Sequence, residues 1–198
     1  MIVDHTRKFA FTSVPKTGST TIMLHVCENK NVINEQKPAI YHASLNVLDS
    51  TTNGYFKFGF VRDPLDRFLS TYLDGLQDGG HIIEWSGNLL NYNTFKEFCL
   101  NFTNDNIRHD VHFSPGYTFF YDKDGKNLAS KIFRYENFSE ACNEISRAIS
   151  ITVDPSYITR QTKKDKHFLD YYDKESAQPI INFYKHDYDI FGYEIPFT

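Results

Sequence analysis

Alternation of apolar with small or polar residues is the first regularity in the chain, and it locates two strands. "KFAFTSV", residues 8–14, alternates in this way and stops at Pro15, which predicts a strand that runs into a loop. The segment after that loop, "STTIMLHVCENKN", residues 19–31, begins with Ser and Thr and spaces Ile22, Met23, Val26 and Cys27 as one helical face. "YFKFGFVR", residues 55–62, predicts the second strand. Pro64 then opens "PLDRFLSTYLDGL", where Leu65, Phe68, Leu69 and Tyr72 form one apolar stripe, and Gly79 with Gly80 closes the region. Residues 94–102, "TFKEFCLNF", predict a short helix, and residues 117–135 read as strand-like runs on either side of a turn at Asp124 and Gly125. A helix is expected over residues 139–149. The last is "KESAQPIINFYKHDYDIFGYE", a helix that Pro179 kinks or restarts and that ends near Gly192. Strands that alternate with helices predict an α/β sandwich with a largely parallel sheet.

Composition narrows the class. The length of 198 residues fits a single domain, 1–198. With 40% hydrophobic residues, 18 Phe and 13 Tyr, the chain is a globular one with an aromatic core rather than a disordered one. A net charge of -4 supplies no basic field for nucleic acid, so any anion site must be local. Cys27, Cys99 and Cys142 are odd in number and lack a CxxC pair, which argues against a disulfide framework or a zinc site and for a reducing compartment. The opening residues do not read as a signal peptide, and no run of 18 apolar residues predicts a transmembrane segment. No repeat or Pro/Gly-rich linker marks a boundary, and oligomeric state has no signal in the sequence.

The stretch between the first strand and helix, "SVPKTGSTT", residues 13–21, carries the first candidate chemistry. A strand-loop-helix passage aims backbone N–H groups and the positive end of the helix dipole at one spot, which suits a phosphate. Gly18 permits close approach, Ser19, Thr20 and Thr21 bring hydroxyls, and Lys16 brings a mobile positive charge. A Walker loop reads GxxxxGK[ST]; here Lys16 precedes Gly18, so that pattern fails. The plainer reading is a Ser/Thr-rich helix cap beside an exposed lysine.

A second motif, "FVRDPLDRFLSTY", residues 60–72, puts Arg62 at a strand end and Ser70 two turns into the next helix. Together the two stretches resemble the nucleotide-binding signatures of the sulfotransferases that use 3′-phosphoadenosine 5′-phosphosulfate (PAPS). "PKTGSTT" with "VRDPLDRFLSTY" is closer to the carbohydrate branch, including the heparan 2-O-sulfotransferases, than to the cytosolic phenol and steroid branch. "DVHFSP" at 110–115, "KIFRYENF" at 131–138 and "FYKHDYDIFGYE" at 183–194 are similar to later landmarks of that branch, so the resemblance spans nearly the whole chain. It implies a P-loop-NTPase-like three-layer sandwich with a largely parallel central sheet. It also implies that Lys16, Thr17, Gly18, Ser19, Thr20 and Thr21 grip the 5′-phosphosulfate, and that Arg62 and Ser70 grip the 3′-phosphate.

Sulfuryl transfer moves SO₃ to an acceptor through a loose transition state in which charge gathers on the leaving oxygen, by analogy with phosphoryl transfer. Lys16 suits the departing phosphate of adenosine 3′,5′-bisphosphate, and the scheme needs no metal. Arg62 suits a phosphate because its planar fork holds two oxygens; the plainer reading is a salt bridge with Asp63 or Asp66. A hydroxyl acceptor needs a general base. The resemblance implies a catalytic histidine in an "HxS" segment, met here as His42 in "IYHASL", while a lone loop or core imidazole is the alternative. His112 is the second candidate, as acceptor contact or base. Glu136 reads rather as a helix cap, and Asp110 and His81 have only their position in their favour. In "YITRQTKKDKHF", residues 157–168, Arg160, Lys163 and Lys164 are placed to reach the 3′-phosphate or an acidic acceptor, or form a solvated charge run.

The function expected is transfer of a sulfuryl group from PAPS to an acceptor hydroxyl, on a carbohydrate, in a cytoplasmic enzyme of bacterial or viral origin. A small-molecule acceptor, a non-catalytic nucleotide-binding module and a P-loop phosphotransferase are the competing readings.

Overall fold

The computed structural model describes residues 1–27, 42–77, 89–157 and 162–197. The chain divides into two compact units, Met1–Arg62 with Gly116–Gln161 and Asp63–Pro115 with Thr162–Thr198.

The first unit holds the sheet. Its strands are β1 (Ile2–Asp4), β2 (Phe9–Thr12), β3 (Phe56–Val61) and β4 (Lys131–Arg134), in the order β1-β2-β3-β4. β1 is antiparallel to β2, while the β2–β3 and β3–β4 pairs are parallel. The register sets Phe9 beside Phe56, Phe11 beside Phe58, and Phe60 beside Phe133, so one face of the sheet is a run of phenyl rings. Helices α1 (Ser19–Cys27) and α4 (Phe138–Ile149) bury Ile22, Val26, Ala141, Cys142, Ile145 and Ile149 in the same cluster. The opposite face carries the small residues Ala10, Thr12 and Gly59. A Cβ on Gly59 would lie 2.8 Å from Phe120 Cε1 and from Thr12 O, so glycine is what lets that ring close on the strand.

The second unit is helical. It contains α2 (Pro64–Gly75), α3 (Phe95–Asn101), α5 (Lys174–Phe183) and α6 (Lys185–Phe191), with α3 and α2 packed on α5. Leu65, Phe68, Leu69 and Tyr72, the stripe expected for α2, are buried together with Phe98, Phe102, Phe113 and Tyr184. Asp63 caps α2 by accepting from the N–H groups of Leu65 and Asp66 at 2.9 and 3.1 Å.

The mixed α/β architecture with a mostly parallel open sheet is the one the strand and helix order predicts. Two local expectations are corrected, and one strand is added. The run at 117–121 is not a strand: Gly116–Phe119 is a 3-10 turn, and only an isolated bridge, Tyr121 to Asn127, follows before β4. Pro179 does not restart the last helix: α5 runs through it, and the break falls at Tyr184, whose buried hydroxyl donates to Phe113 O at 2.7 Å. β1 is an edge strand that the pattern did not predict. Residues 28–31 of the expected first helix, and Gly79 and Gly80, lie outside the described residues.

Candidate functional site

The loop at the end of β2 is built by its own backbone. Lys16 has φ +62° and Gly18 φ +74°, two left-handed residues within three positions. Such residues build the backbone concavities that collect anions, and a lysine held there stores strain of the kind that clusters at functional sites. Two hydroxyls are spent inside the protein: Thr17 Oγ1 donates to Val14 O at 2.9 Å and Thr21 Oγ1 donates to Tyr157 O at 3.0 Å. His25, in the last turn of α1, ties the same region together, with its Nδ1–H donating to Thr21 O at 2.8 Å and Nε2 accepting from the Asp154 N–H at 3.2 Å.

Arg62 leaves the end of β3 toward this loop. Its Nη1 donates to Lys16 O at 3.0 Å, and its guanidinium carbon lies 4.3 Å from the centre of the Tyr135 ring. That ring and Phe138 also floor the loop, because a Cβ on Gly18 would lie 2.8 Å from Phe138 Cε2 and 3.1 Å from Tyr135 Cε2.

His42 sits beside the start of the loop. Thr12 Oγ1 donates to Ala43 O at 2.7 Å and holds the segment against β2. His42 Nδ1 is 2.7 Å from Ser13 O and 3.4 Å from Ser13 Oγ. A carbonyl only accepts, so Nδ1 carries the hydrogen and Nε2 is the basic nitrogen of the neutral ring. The first unit therefore brings Lys16, Gly18, Arg62 and His42 to one end of the parallel strands.

Residues 1–194 match the Sulfotransferase family. The chain belongs to that family. No curated protein and no solved structure gives a match. Membership makes the chain a PAPS-dependent sulfotransferase, and the C-terminal ends of parallel strands are where open α/β sheets bind ligands.

The sulfotransferase's second unit carries the other candidates. Ser70 is buried on α2, its Oγ 3.2 Å from Thr162 Oγ1. Asp66 pairs with Lys164, so that lysine, offered by the sequence as a phosphate ligand, is engaged by a carboxylate. His112 Nδ1 lies 2.7 Å from Asp110 Oδ1, an orientation that again makes Nε2 the basic nitrogen. Arg67 was missed by the sequence reading although it lies inside the second motif. It is only 2% exposed, donates to His112 O at 3.1 Å and Ser114 O at 2.6 Å, and stands 5.1 Å from the Tyr184 ring centre. Thr71 adds a bond to His112 O at 3.4 Å. Thus α2 carries Ser70 and also fixes the His112 segment. The signal available was spacing: Arg67 falls on the buried side of α2 with Ser70 and Thr71.

Arg160 and His81 lie outside the described residues. Among the described residues no group of three or more His, Cys, Asp or Glu could hold a metal, and no helix is long and apolar enough to cross a membrane.

Proposed function

We propose that this sulfotransferase moves the sulfuryl group of PAPS to a carbohydrate hydroxyl, with Lys16 at the leaving phosphate and His42 as general base. The observation that carries the reading is the bond from His42 Nδ1 to Ser13 O, which fixes a basic Nε2 next to the loop that holds Lys16. The acceptor hydroxyl gives its proton to His42 Nε2 as its oxygen bonds to sulfur. The bond from sulfur to the bridging oxygen of the phosphosulfate breaks, and adenosine 3′,5′-bisphosphate leaves with the electron pair. Lys16, the loop N–H groups and the hydroxyls of Ser19 and Thr20 stabilise the charge that gathers on that oxygen. Thr17 acts through its backbone amide, since its hydroxyl hydrogen points at Val14 O, while Thr21, which the motif also assigns to the phosphosulfate, directs its hydroxyl at Tyr157 O and its N–H at Gly18 O and so closes the loop onto the helix. Arg62 binds the 3′-phosphate, and the motif assigns Ser70 to it as well. His112 and Arg160 are assigned to the acceptor. Three free cysteines are in keeping with a reducing, cytoplasmic setting.

Titration calorimetry with adenosine 3′,5′-bisphosphate, 5′-AMP and ATP with magnesium tests the donor site, and transfer of labelled sulfate from PAPS to sugars tests the acceptor. Preference for the bisphosphate with sulfation of sugars is expected. Tighter binding of ATP with magnesium would overturn the donor assignment, and sulfation of small metabolites alone would overturn the carbohydrate one. His42→Gln is expected to lower kcat by about 10²-fold or more while leaving bisphosphate affinity within about twofold. An unchanged kcat would remove His42 from the mechanism.

A further inference from the structure

The strand register puts an unassigned aromatic beside the proposed phosphate ligand. β3 and β4 are parallel with Val61 opposite Arg134, so the next residues along each strand, Arg62 and Tyr135, emerge as neighbours. The contact is face-on: the guanidinium carbon of Arg62 lies 4.3 Å from the Tyr135 ring centre, within the range of a cation–π interaction. A planar cation also stacks on such a face, which an ammonium does not do. The edge of the same ring approaches the loop, with Tyr135 Cε2 3.1 Å from the position of a Gly18 Cβ. Arg62 in turn donates to Lys16 O, so ring, guanidinium and loop form one continuous bracket.

We infer that Tyr135 is a positioning residue that holds the Arg62 guanidinium, before any ligand arrives, in the orientation that selects a 3′-phosphorylated nucleotide. This rests on the reading of Arg62 as the 3′-phosphate ligand. A free arginine side chain loses rotamer freedom when it binds. Stacking on Tyr135 and bonding to Lys16 O restrict those rotamers in the folded chain, so less is lost when the phosphate binds. The bond to Lys16 O fixes the Nη1 end of the guanidinium, and the Tyr135 face fixes its plane.

The measurement is the ratio of affinities for adenosine 3′,5′-bisphosphate and 5′-AMP, taken by calorimetry on the full chain and on Arg62→Ala, Tyr135→Phe and Tyr135→Leu. The ratio isolates the 3′-phosphate, because general damage to the loop, or loss of a direct contact with the rest of the nucleotide, weakens both ligands alike. Arg62→Ala is expected to abolish the preference. Tyr135→Leu, which removes the π face, is expected to lower it by about threefold to tenfold, and Tyr135→Phe, which keeps the face, to retain it within about twofold. If the leucine chain does not fold, Tyr135→Met fills the space without a ring and bears the same comparison. A ratio unchanged in the leucine or methionine variant, with the preference lost in Arg62→Ala, overturns the role of Tyr135 and leaves that of Arg62 standing. A ratio lost equally in Tyr135→Phe overturns it too, since the hydroxyl and not the face would be responsible. A preference retained in Arg62→Ala removes the 3′-phosphate reading itself and this inference with it.

Discussion

Gly18 concentrates the demands of the loop in one residue. Its φ of +74° is a conformation that costs other residues about 1–2 kcal/mol, and its missing side chain leaves room for the Phe138 and Tyr135 rings. Gly18→Ala therefore meets two penalties, because the new Cβ falls 2.8 Å from Phe138 Cε2 and the loop or the ring must move. We expect a loss of about 2 kcal/mol or more of stability and weaker bisphosphate binding, read by thermal melting and calorimetry. Unchanged affinity would mean that the loop backbone does not contact the donor. Lys16 meets the opposite choice: it takes a left-handed φ of +62° despite its side chain. The bond from Arg62 to its carbonyl is one of the contacts that over-determine this strained residue.

At the scale of elements, what was legible in the sequence was whatever a local period dictates. β2 and β3 alternate Phe9, Phe11, Phe58 and Phe60 with Ala10, Thr12 and Gly59, and one face of a sheet is the physical meaning of that alternation. α2 was legible from Pro64 and its apolar stripe. β1 was not, because three residues contain too little of a period, and its place depends on pairing with β2. The run 117–121 looked like a strand because it is aromatic, but Phe120 is fixed by the hollow above Gly59, a tertiary demand that period does not reveal. In the same way the anchoring of Tyr184 on Phe113 O, and not Pro179, decides where the last helices divide. The candidate site followed the same rule: Lys16, Gly18 and Arg62 were legible as motif letters, Arg67 only through its helical spacing with Ser70 and Thr71, and Tyr135 only from strand register. One element is improvable on these grounds. Ser150 ends α4 in the left-handed region, φ 55° and ψ 37°, where glycine carries no steric cost. Ser150→Gly is expected to add about 0.5–1 kcal/mol and to raise Tm by about 2–4 °C with sulfuryl transfer unchanged. A lower Tm would show that a contact of the serine outweighs its backbone cost.

At the scale of the whole molecule, the aromatic core sets the range of pH in which the fold is stable. Burial raises the phenols of Tyr72, Tyr172, Tyr184 and Tyr188 above their ordinary value, and it pushes the Cys142 thiol up to about 12. An acid whose pKa is higher in the folded state stays protonated there while the unfolded chain ionises, so unfolding releases protons and stability falls as pH rises. That loss begins near the unfolded values, about 9 for thiols and about 10 for phenols. The acid limb has the opposite origin. The Lys96 ammonium beside Asp173 holds its carboxyl well below the usual range, the hydroxyls of Ser156 and Thr51 lower Asp154 and Asp49, and the phenol of Tyr171 lowers Asp165. A depressed carboxylate stabilises the fold above its unfolded pKa and loses that contribution as pH falls through the folded value, which puts the decline below about pH 4. Tm should thus be level from about pH 5 to 8 and fall on both sides. Asp173→Asn is expected to flatten the acid limb. On the alkaline side, Tyr172→Phe should lower Tm at pH 7, since it removes the bond to Leu65 O at 2.9 Å, and yet make the decline above pH 9 shallower. Scanning calorimetry between pH 3 and 11 on the three chains reads both limbs. An alkaline slope as steep in Tyr172→Phe as in the parent chain would mean that this phenol ionises without unfolding.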